Sequence, residues 1–221
     1  MTLTAKSITK NYKTRRRQVS VINDGDITAK SGELTVISGR SGSGKTTLLS
    51  ILGGLTKPSG GSVFYDERDI YSMSDDKLSR YRNAEIGFVP QGQGALSALT
   101  VFENLILPAS LSGSKAAERA DKLLERLGLS QLRDAYPREL SGGELRRLSV
   151  ARALINSPSV IFADEPTNDL DDENSELVLQ LLKEQAQGGA AVVIVSHEQA
   201  ALRYADVTYR MDGGRLQREE K

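Results

Sequence analysis

At 221 residues the chain is long enough to bury a sizeable core as one domain. Lys plus Arg number 29 and Asp plus Glu 29, so the formal net charge is zero and no overall field draws the chain to nucleic acid or anionic lipid. The absence of cysteine excludes disulfide and thiolate chemistry and fits a reducing compartment, and the longest apolar run, Ala190 to Val195, is far short of the ~18 residues of a membrane span.

Met1 to Lys10 has no continuous apolar stretch, so no secretory leader is expected, and Thr2 to Thr9 reads as a short strand. Arg15-Arg16-Arg17 is a basic run of the kind that forms a solvated loop. Leu34-Thr35-Val36-Ile37 is apolar or β-branched without alternation, and the chain then turns through glycines into a helix, Lys45 to Leu52. Ser62 to Tyr71 reads as another strand, and Ile86-Gly87-Phe88-Val89-Pro90 as one ending at Gln91. From about residue 92 to 155 the chain is mainly helical. Ala116, Ala117, Ala120, Leu123, Leu124 and Leu127 recur at helical spacing before Gly128, and Leu145, Leu148, Ala151, Leu154 and Ile155 before Asn156-Ser157-Pro158. Val160 to Ala163 and Ala191 to Val195 are again unalternating, and end at Asp164-Glu165 and Ser196-His197. Val207 to Met211 and Arg215 to Gln217 flank Asp212-Gly213-Gly214 as a hairpin, and no appended regulatory domain is expected beyond it. Unalternating runs of this kind suit parallel strands covered on both faces, where ligands lie beyond the carboxyl ends.

Those ends carry the chemistry. Gly39-Arg40-Ser41-Gly42-Ser43-Gly44-Lys45-Thr46 fits G-x-x-x-x-G-K-[ST] between a strand and a helix, the context that confirms a phosphate-binding loop. Its N–H groups converge on phosphates, Lys45 adds a charge, and the Thr46 hydroxyl can hold Mg²⁺. Asp164 ends a buried strand, where a carboxylate calls for a cation, and the Mg²⁺ at Thr46 would supply one. Glu165, expected on the other side of the strand end, suits polarisation of the attacking water; the plainer alternative for Asp164-Glu165-Pro166 is a polar strand exit. His197, the sole histidine, stands at the same edge for a γ-phosphate or that water, against the reading of an ordinary surface histidine. Gln91 alone reads as a loop glutamine, and Tyr12 as either an adenine-stacking ring or core.

Leu140-Ser141-Gly142-Gly143-Glu144 adds a second phosphate-facing surface. Ser141 and Glu144 form a capping box, while the two glycines cost about 1 kcal/mol each in helix propensity and leave the backbone N–H groups bare. One nucleotide needs only one loop of the Gly39 kind, so the chain carries one surface too many for itself.

With these residues in order, the chain resembles the ATP-hydrolysing subunit of an ABC transporter over essentially its whole length. The resemblance implies that Gly39 to Thr46, with Thr47, is Walker A, and that Gln91 is the Q-loop, sharing Mg²⁺ with Thr46 and Asp164. It implies Leu140 to Glu144 as signature, Val160 to Asp164 as Walker B, Glu165 as catalytic carboxylate and His197 as switch histidine. Lys45 and Gln91 would join those two in catalysis. Tyr12 matches the adenine-stacking aromatic, and Asn168-Asp169-Leu170-Asp171 the D-loop. Asp169 departs from the small or neutral residue more usual there, and Gly92-Gln93-Gly94 is unusually flexible; both bear on dimer or partner contacts. The implied fold is α/β: one domain over 1–221, a P-loop NTPase with a RecA-like core, an antiparallel β subdomain and an inserted α-helical subdomain at about 92–155. More narrowly, Ile86 to Gln91, Leu99 to Pro108 and Leu140 to Leu154 resemble the ATPases of the lipoprotein-release, macrolide-export and antimicrobial-peptide-resistance group.

The function this implies is an energising subunit with ATP and Mg²⁺ as cofactors. Two copies close over two ATP and drive an integral membrane permease on a separate chain, for export or extraction of a lipophilic or peptide substrate. No nucleic acid is expected, and the chain sits on the cytoplasmic face of the membrane through the permease alone. The contact expected is the groove beside Gln91 to Pro108, with Leu96, Leu99, Val101, Phe102 and Leu105 as its apolar lining. A mechanical or signalling role on a membrane partner is the alternative. A soluble cassette acting on ribosomes or DNA fits less well, since its relatives carry tandem cassettes, insertions or basic surfaces. A small GTPase is disfavoured by the absence of Asn-Lys-x-Asp.

Overall fold

The computed structural model describes residues 1–13, 18–92 and 94–219; Arg15-Arg16-Arg17 and Gln93 lie outside them. Strands β1 (Thr2–Lys13), β2 (Gln18–Ile22) and β3 (Ile27–Lys30) open the chain, followed by β4 (Leu34–Ser38) and helix α1 (Lys45–Leu52). Next come β5 (Gly60–Tyr65), β6 (Arg68–Asp69), α2 (Asp75–Glu85) and β7 (Ile86–Val89), then α3 (Val101–Leu111), α4 (Ala117–Arg126) and α5 (Gly142–Leu154). The last elements are β8 (Val160–Asp164), α6 (Asp172–Gln187), β9 (Ala191–Val195), α7 (Gln199–Tyr204), β10 (Val207–Asp212) and β11 (Arg215–Glu219).

They make two sheets. One is antiparallel, in the order β2-β1-β5-β6 with β3 also paired to β1. The other runs β11-β10-β4-β9-β8-β7 and is parallel except for the β10–β11 hairpin. Alternate residues of its central strands go to opposite sides: Ile161, Ala163, Val192 and Ile194 pack with the helical segment, whereas Val160, Phe162, Val193 and Val195 pack with α1 and the antiparallel sheet. Burial on both faces is why these runs show no alternation in the sequence. The protein is therefore an α/β P-loop NTPase fold in which an antiparallel sheet and a helical layer enclose a parallel sheet.

Several elements differ from the sequence expectation. Ser62 to Tyr71 is two strands rather than one, broken at Asp66, whose φ of 54° lies in the left-handed region and turns the hairpin. Ile70 to Ser72 then forms a 3-10 turn, with the Asp69 carboxylate accepting from the Tyr71 N–H at 2.9 Å. Strands β2 and β3 and helices α2, α6 and α7 were not foreseen. Helix α6 is capped by Asp171 and buries Val178, Leu179, Leu181, Leu182 and Ala186, whereas α2 buries Leu78 alone and has almost no apolar period to read. Among the described residues no helix is long and apolar enough to cross a membrane.

Candidate functional site: two phosphate-facing clefts

The parallel strands β4, β7, β8 and β9 end side by side, which sets Gly39, Gln91, Asp164 and His197 along one edge of the sheet. There a cavity of about 590 Å³ is lined by Arg40, Ser41, Gly42, Gly44, Lys45, Thr46 and Thr47, together with Gln91, Asp164, Glu165 and His197. Segments more than 150 residues apart in sequence thus share one wall. Gly39 and Ser43 stand behind the lining and shape the loop instead. A Cβ on Gly39 would lie 2.2 Å from the Met211 carbonyl oxygen of β10, and one on Gly44 would lie 2.8 Å from the Val21 carbonyl oxygen of β2 and 2.9 Å from Met211 Cε. With φ of 149° and 106°, both positions are reserved for glycine by conformation as well as space. Lys45 is buried, and its ammonium donates to the carbonyls of Gly39 (2.7 Å) and Arg40 (3.1 Å), bridging the loop's mouth.

The acidic pair is buried and incompletely hydrogen-bonded. Asp164 is 1% exposed and Glu165 6%, and Asp164 Oδ1 and Glu165 Oε2 have no hydrogen-bond partner. Burial pushes the Asp164 carboxyl above its ordinary value, against the pull of a hydrogen bond from the Thr46 side chain; the neighbouring Glu165 pushes the same way as burial. Two orphaned carboxylate oxygens beside a threonine hydroxyl are hard ligands of the kind Mg²⁺ takes alongside phosphate oxygens. Glu165 does not continue the strand's alternation to the other side, as the sequence reading had it. Its φ of 48° turns the chain out of the pleat, so both carboxylates line the same cavity. Glu165 Oε1 lies 3.0 Å from His197 Nδ1, and this contact raises the His197 pKa above the usual imidazole value.

The signature residues are not in this cavity. Ser141, Gly142 and Gly143 line a separate cleft of about 690 Å³ with Arg147, Asp169, Leu170, Asp171 and Asn174, and the two clefts share no lining residue. The capping box is formed: the Ser141 Oγ accepts from the Glu144 N–H at 3.3 Å, and the Glu144 carboxylate accepts from the Ser141 N–H and hydroxyl, both at 2.7 Å. Those bonds hold the Glu144 carboxyl below its ordinary range and spend it on the cap, outside the cleft lining. Gly143 also makes a close approach that helix-start logic did not anticipate, since a Cβ there would be 3.3 Å from both the Asp169 carbonyl oxygen and Leu170 Cδ2. Asp171 caps α6 through the Asn174 N–H at 2.8 Å and faces this second cleft, not the first.

Tyr12 is neither core nor cavity wall. The residue is 43% exposed on β1, with the Lys10 ammonium 5.0 Å from its ring centroid, and the antiparallel sheet reaches the cavity through Val21 instead. Val21 and Asn168 were missed as wall residues, as were Arg147 and Asn174 in the second cleft. Asn168 carried a signal, three residues beyond Glu165 in a turn closed by its own N–H on the Glu165 carbonyl (3.1 Å). Val21 carried none, lying in a short strand whose place depends on the whole antiparallel sheet.

The groove expected beside Gln91 to Pro108 exists, with a different lining. Val101 and Leu105 are fully buried, and Phe102 is half-buried beneath the Arg133 guanidinium, 3.6 Å from its ring centroid. Leu99 is half-buried, and Leu96, though 48% exposed, lies outside the lining. The open groove of about 280 Å³ is lined instead by Leu55, Ile86, Phe88, Pro90, Gly94 and Pro108, with Asn83, Ser149, Arg152, Ala153 and Asn156. Helix α3 turns its apolar stripe into the core and gives the groove only Pro108, so its walls come mainly from β7, the turn after α1 and α5.

Comparison with known proteins accords with this geometry. A lipoprotein-releasing system ATP-binding protein LolD of Saccharophagus degradans is 38% identical over 96% of this chain and 95% of its own length. A macrolide export ATP-binding/permease protein MacB of a Shewanella species is 40% identical over 96% of this chain, which spans 33% of that protein. The ATP-binding cassette MJ0796, solved as a dimer in a post-hydrolysis state bound to ADP and Pi, superposes with a TM-score of 0.91 at 35% identity, over 99% of this chain and 98% of that one. The description of the ABC transporter family matches residues 22–168. The chain belongs to the ABC transporter family, as an ATP-binding and ATP-hydrolysing cassette.

Proposed function

We propose that two copies of this chain close on each other around two ATP molecules, and that each nucleotide is held by the Lys45 cavity of one copy and the Ser141 cleft of the other. The observation that carries this is the separation of the two clefts: each is furnished for phosphate, and they share no wall. In the cavity, the N–H groups of Arg40 to Thr46 and the Lys45 ammonium bind phosphate oxygens. Thr46, Asp164 and Gln91, which line the same cavity, would hold Mg²⁺, and the ion when bound would supply positive charge beside the transferred phosphoryl group. Glu165 takes up the proton of the attacking water, and His197, hydrogen-bonded to Glu165, orients that carboxylate. Tyr12, open on β1, stacks on adenine from outside the cavity wall. Asp171 and Glu144 fix the backbone of the second cleft rather than touch nucleotide.

The cycle is read by an integral membrane permease docked in the Leu55–Phe88–Pro108 groove, which holds the chain at the cytoplasmic face. The substrate class is a lipophilic or peptide cargo exported or extracted from the membrane, in line with the relatives named for lipoprotein release and macrolide export. The test is Glu165→Gln sized by light scattering. With ATP and Mg²⁺ the variant should form stable dimers, and adding Ser141→Arg should return it to monomers that still bind nucleotide. A Glu165→Gln chain that remains monomeric at saturating ATP overturns the two-copy arrangement.

A further inference from the structure

Helix α5 begins in the second cleft and carries a guanidinium buried to 3% exposure, Arg146, one turn along. Arg146 has no carboxylate within ion-pair distance among the described residues. Its Nη1 donates to the Pro90 carbonyl at 2.6 Å and its Nη2 to the Gln91 carbonyl at 2.6 Å, while its Nε is buried without a partner. Farther along the same helix, Arg152 Nη1 donates to the Gly94 carbonyl at 2.5 Å. Pro90, Gln91 and Gly94 are therefore each held by α5, although the neighbouring glycines suggest a loose hinge.

Stability does not account for this arrangement. A buried guanidinium with an unpaired N–H is costly, and carbonyls just past the end of an edge strand can be met by water at less expense. Burial lowers the Arg146 pKa, and it is opposed by attraction to Asp169 first and then to Asp164 and Glu165, so the charge lies within the field of both clefts. Asp169, the unusual acid beside Gly143, supplies the largest of these attractions.

We propose that Arg146 is a positioning residue for Gln91: it ties the backbone of that glutamine to the helix that starts in the second cleft, so that occupancy of residues 141–143 sets where Gln91 stands in the first. This rests on the role given to Gln91 above. Arg146 touches no reacting atom and acts only through the Gln91 and Pro90 carbonyls.

The test uses steady-state hydrolysis by the full chain, titrated with ATP and with Mg²⁺, for Arg146→Met, Arg146→Lys, Gln91→Ala and the Arg146→Met/Gln91→Ala pair. Loss of the clamp should lower kcat by about tenfold, as displacement of a positioned group does, and raise the Mg²⁺ requirement, with little change in KM for ATP. Arg146→Lys, a point charge that reaches one carbonyl, should recover part of kcat. The pair should be no slower than Gln91→Ala alone, because both changes act through one group. Amide exchange at Gly92 and Gly94 should quicken in Arg146→Met without nucleotide, a readout independent of turnover. Wild-type kcat and Mg²⁺ dependence in Arg146→Met, beside an impaired Gln91→Ala, overturns the clamp and leaves the role of Gln91 standing. A Gln91→Ala chain with unchanged kcat removes that role instead, and with it any action of Arg146 through it. If Arg146→Met does not fold, Arg146→Lys with wild-type parameters is the refuting result.

Discussion

Asp164→Asn should make the nucleotide-free protein more stable while removing its response to Mg²⁺. Asp164 is 1% exposed with one carboxylate oxygen unpartnered, and burial raises its pKa from 3.8. A group whose folded pKa is raised binds its proton more tightly when folded, so ionisation above that value costs stability, and the cost disappears as pH falls through it. An uncompensated buried polar group costs about 1–3 kcal/mol, more when charged. Taking about 2 kcal/mol, and about 2–4 °C per kcal/mol for a chain of this size, the neutral amide should raise Tm by about 4–8 °C at neutral pH. The gain should shrink in acid toward the ordinary carboxylate value of 3.8. Calorimetry of both proteins without nucleotide measures it. Adding ATP and Mg²⁺ should reverse the order, because ligand binding to the folded state stabilises more strongly the protein that retains the metal ligand. An amide variant that melts at or below the wild type at neutral pH, or keeps its gain in acid, refutes the view that this carboxylate is held at a cost for a cation.

Lys45→Ala should lose nucleotide binding, measured with a fluorescent ATP analogue, since the ammonium at the loop mouth is the cavity's buried cation. Unchanged affinity would count decisively against the site. Leu55→Asp, at a position 53% exposed in the groove, should leave stability within about 0.5 kcal/mol and basal hydrolysis intact, yet reduce co-purification with a co-expressed permease. Full recovery of the complex would move the docking surface elsewhere. His197 donates its stability below pH 6.5, where it is charged against Glu165, and loses it as pH rises through its raised pKa. The melting difference between His197→Ala and wild type should accordingly be largest in mildly acidic solution and fade in alkali; a difference that grows with pH would contradict the pairing.

The strand ends were legible because each is a local pattern: an unalternating run such as Val160 to Ala163 states its own burial on both faces, and the residue after it inherits a place at the sheet edge. The phosphate loop and the capping box at Ser141 were legible for the same reason, since their bonds span at most a few residues. What stayed hidden depends on contacts between distant segments. Val21 lines the cavity through a strand with no pattern of its own, and Arg146 reads as an ordinary helix surface charge until Pro90 and Gln91, 56 and 55 residues earlier, fold beneath it. Phe102 misled for the opposite reason. An apolar residue beside a predicted hinge looks like a contact surface, but α3 rotates its stripe inward and Arg133 covers the ring.

Gly39 and Gly44 are pressed against main-chain atoms of β2 and β10, strands from opposite ends of the chain. The phosphate loop is written as eight consecutive residues, yet its mould is assembled from Val21 and Met211. During synthesis the loop is therefore made early and shaped late. A ribosome must deliver Met211 before the cradle has its back wall, so a nascent or prematurely terminated chain that ends before β10 carries the full binding sequence without the cast that gives it form.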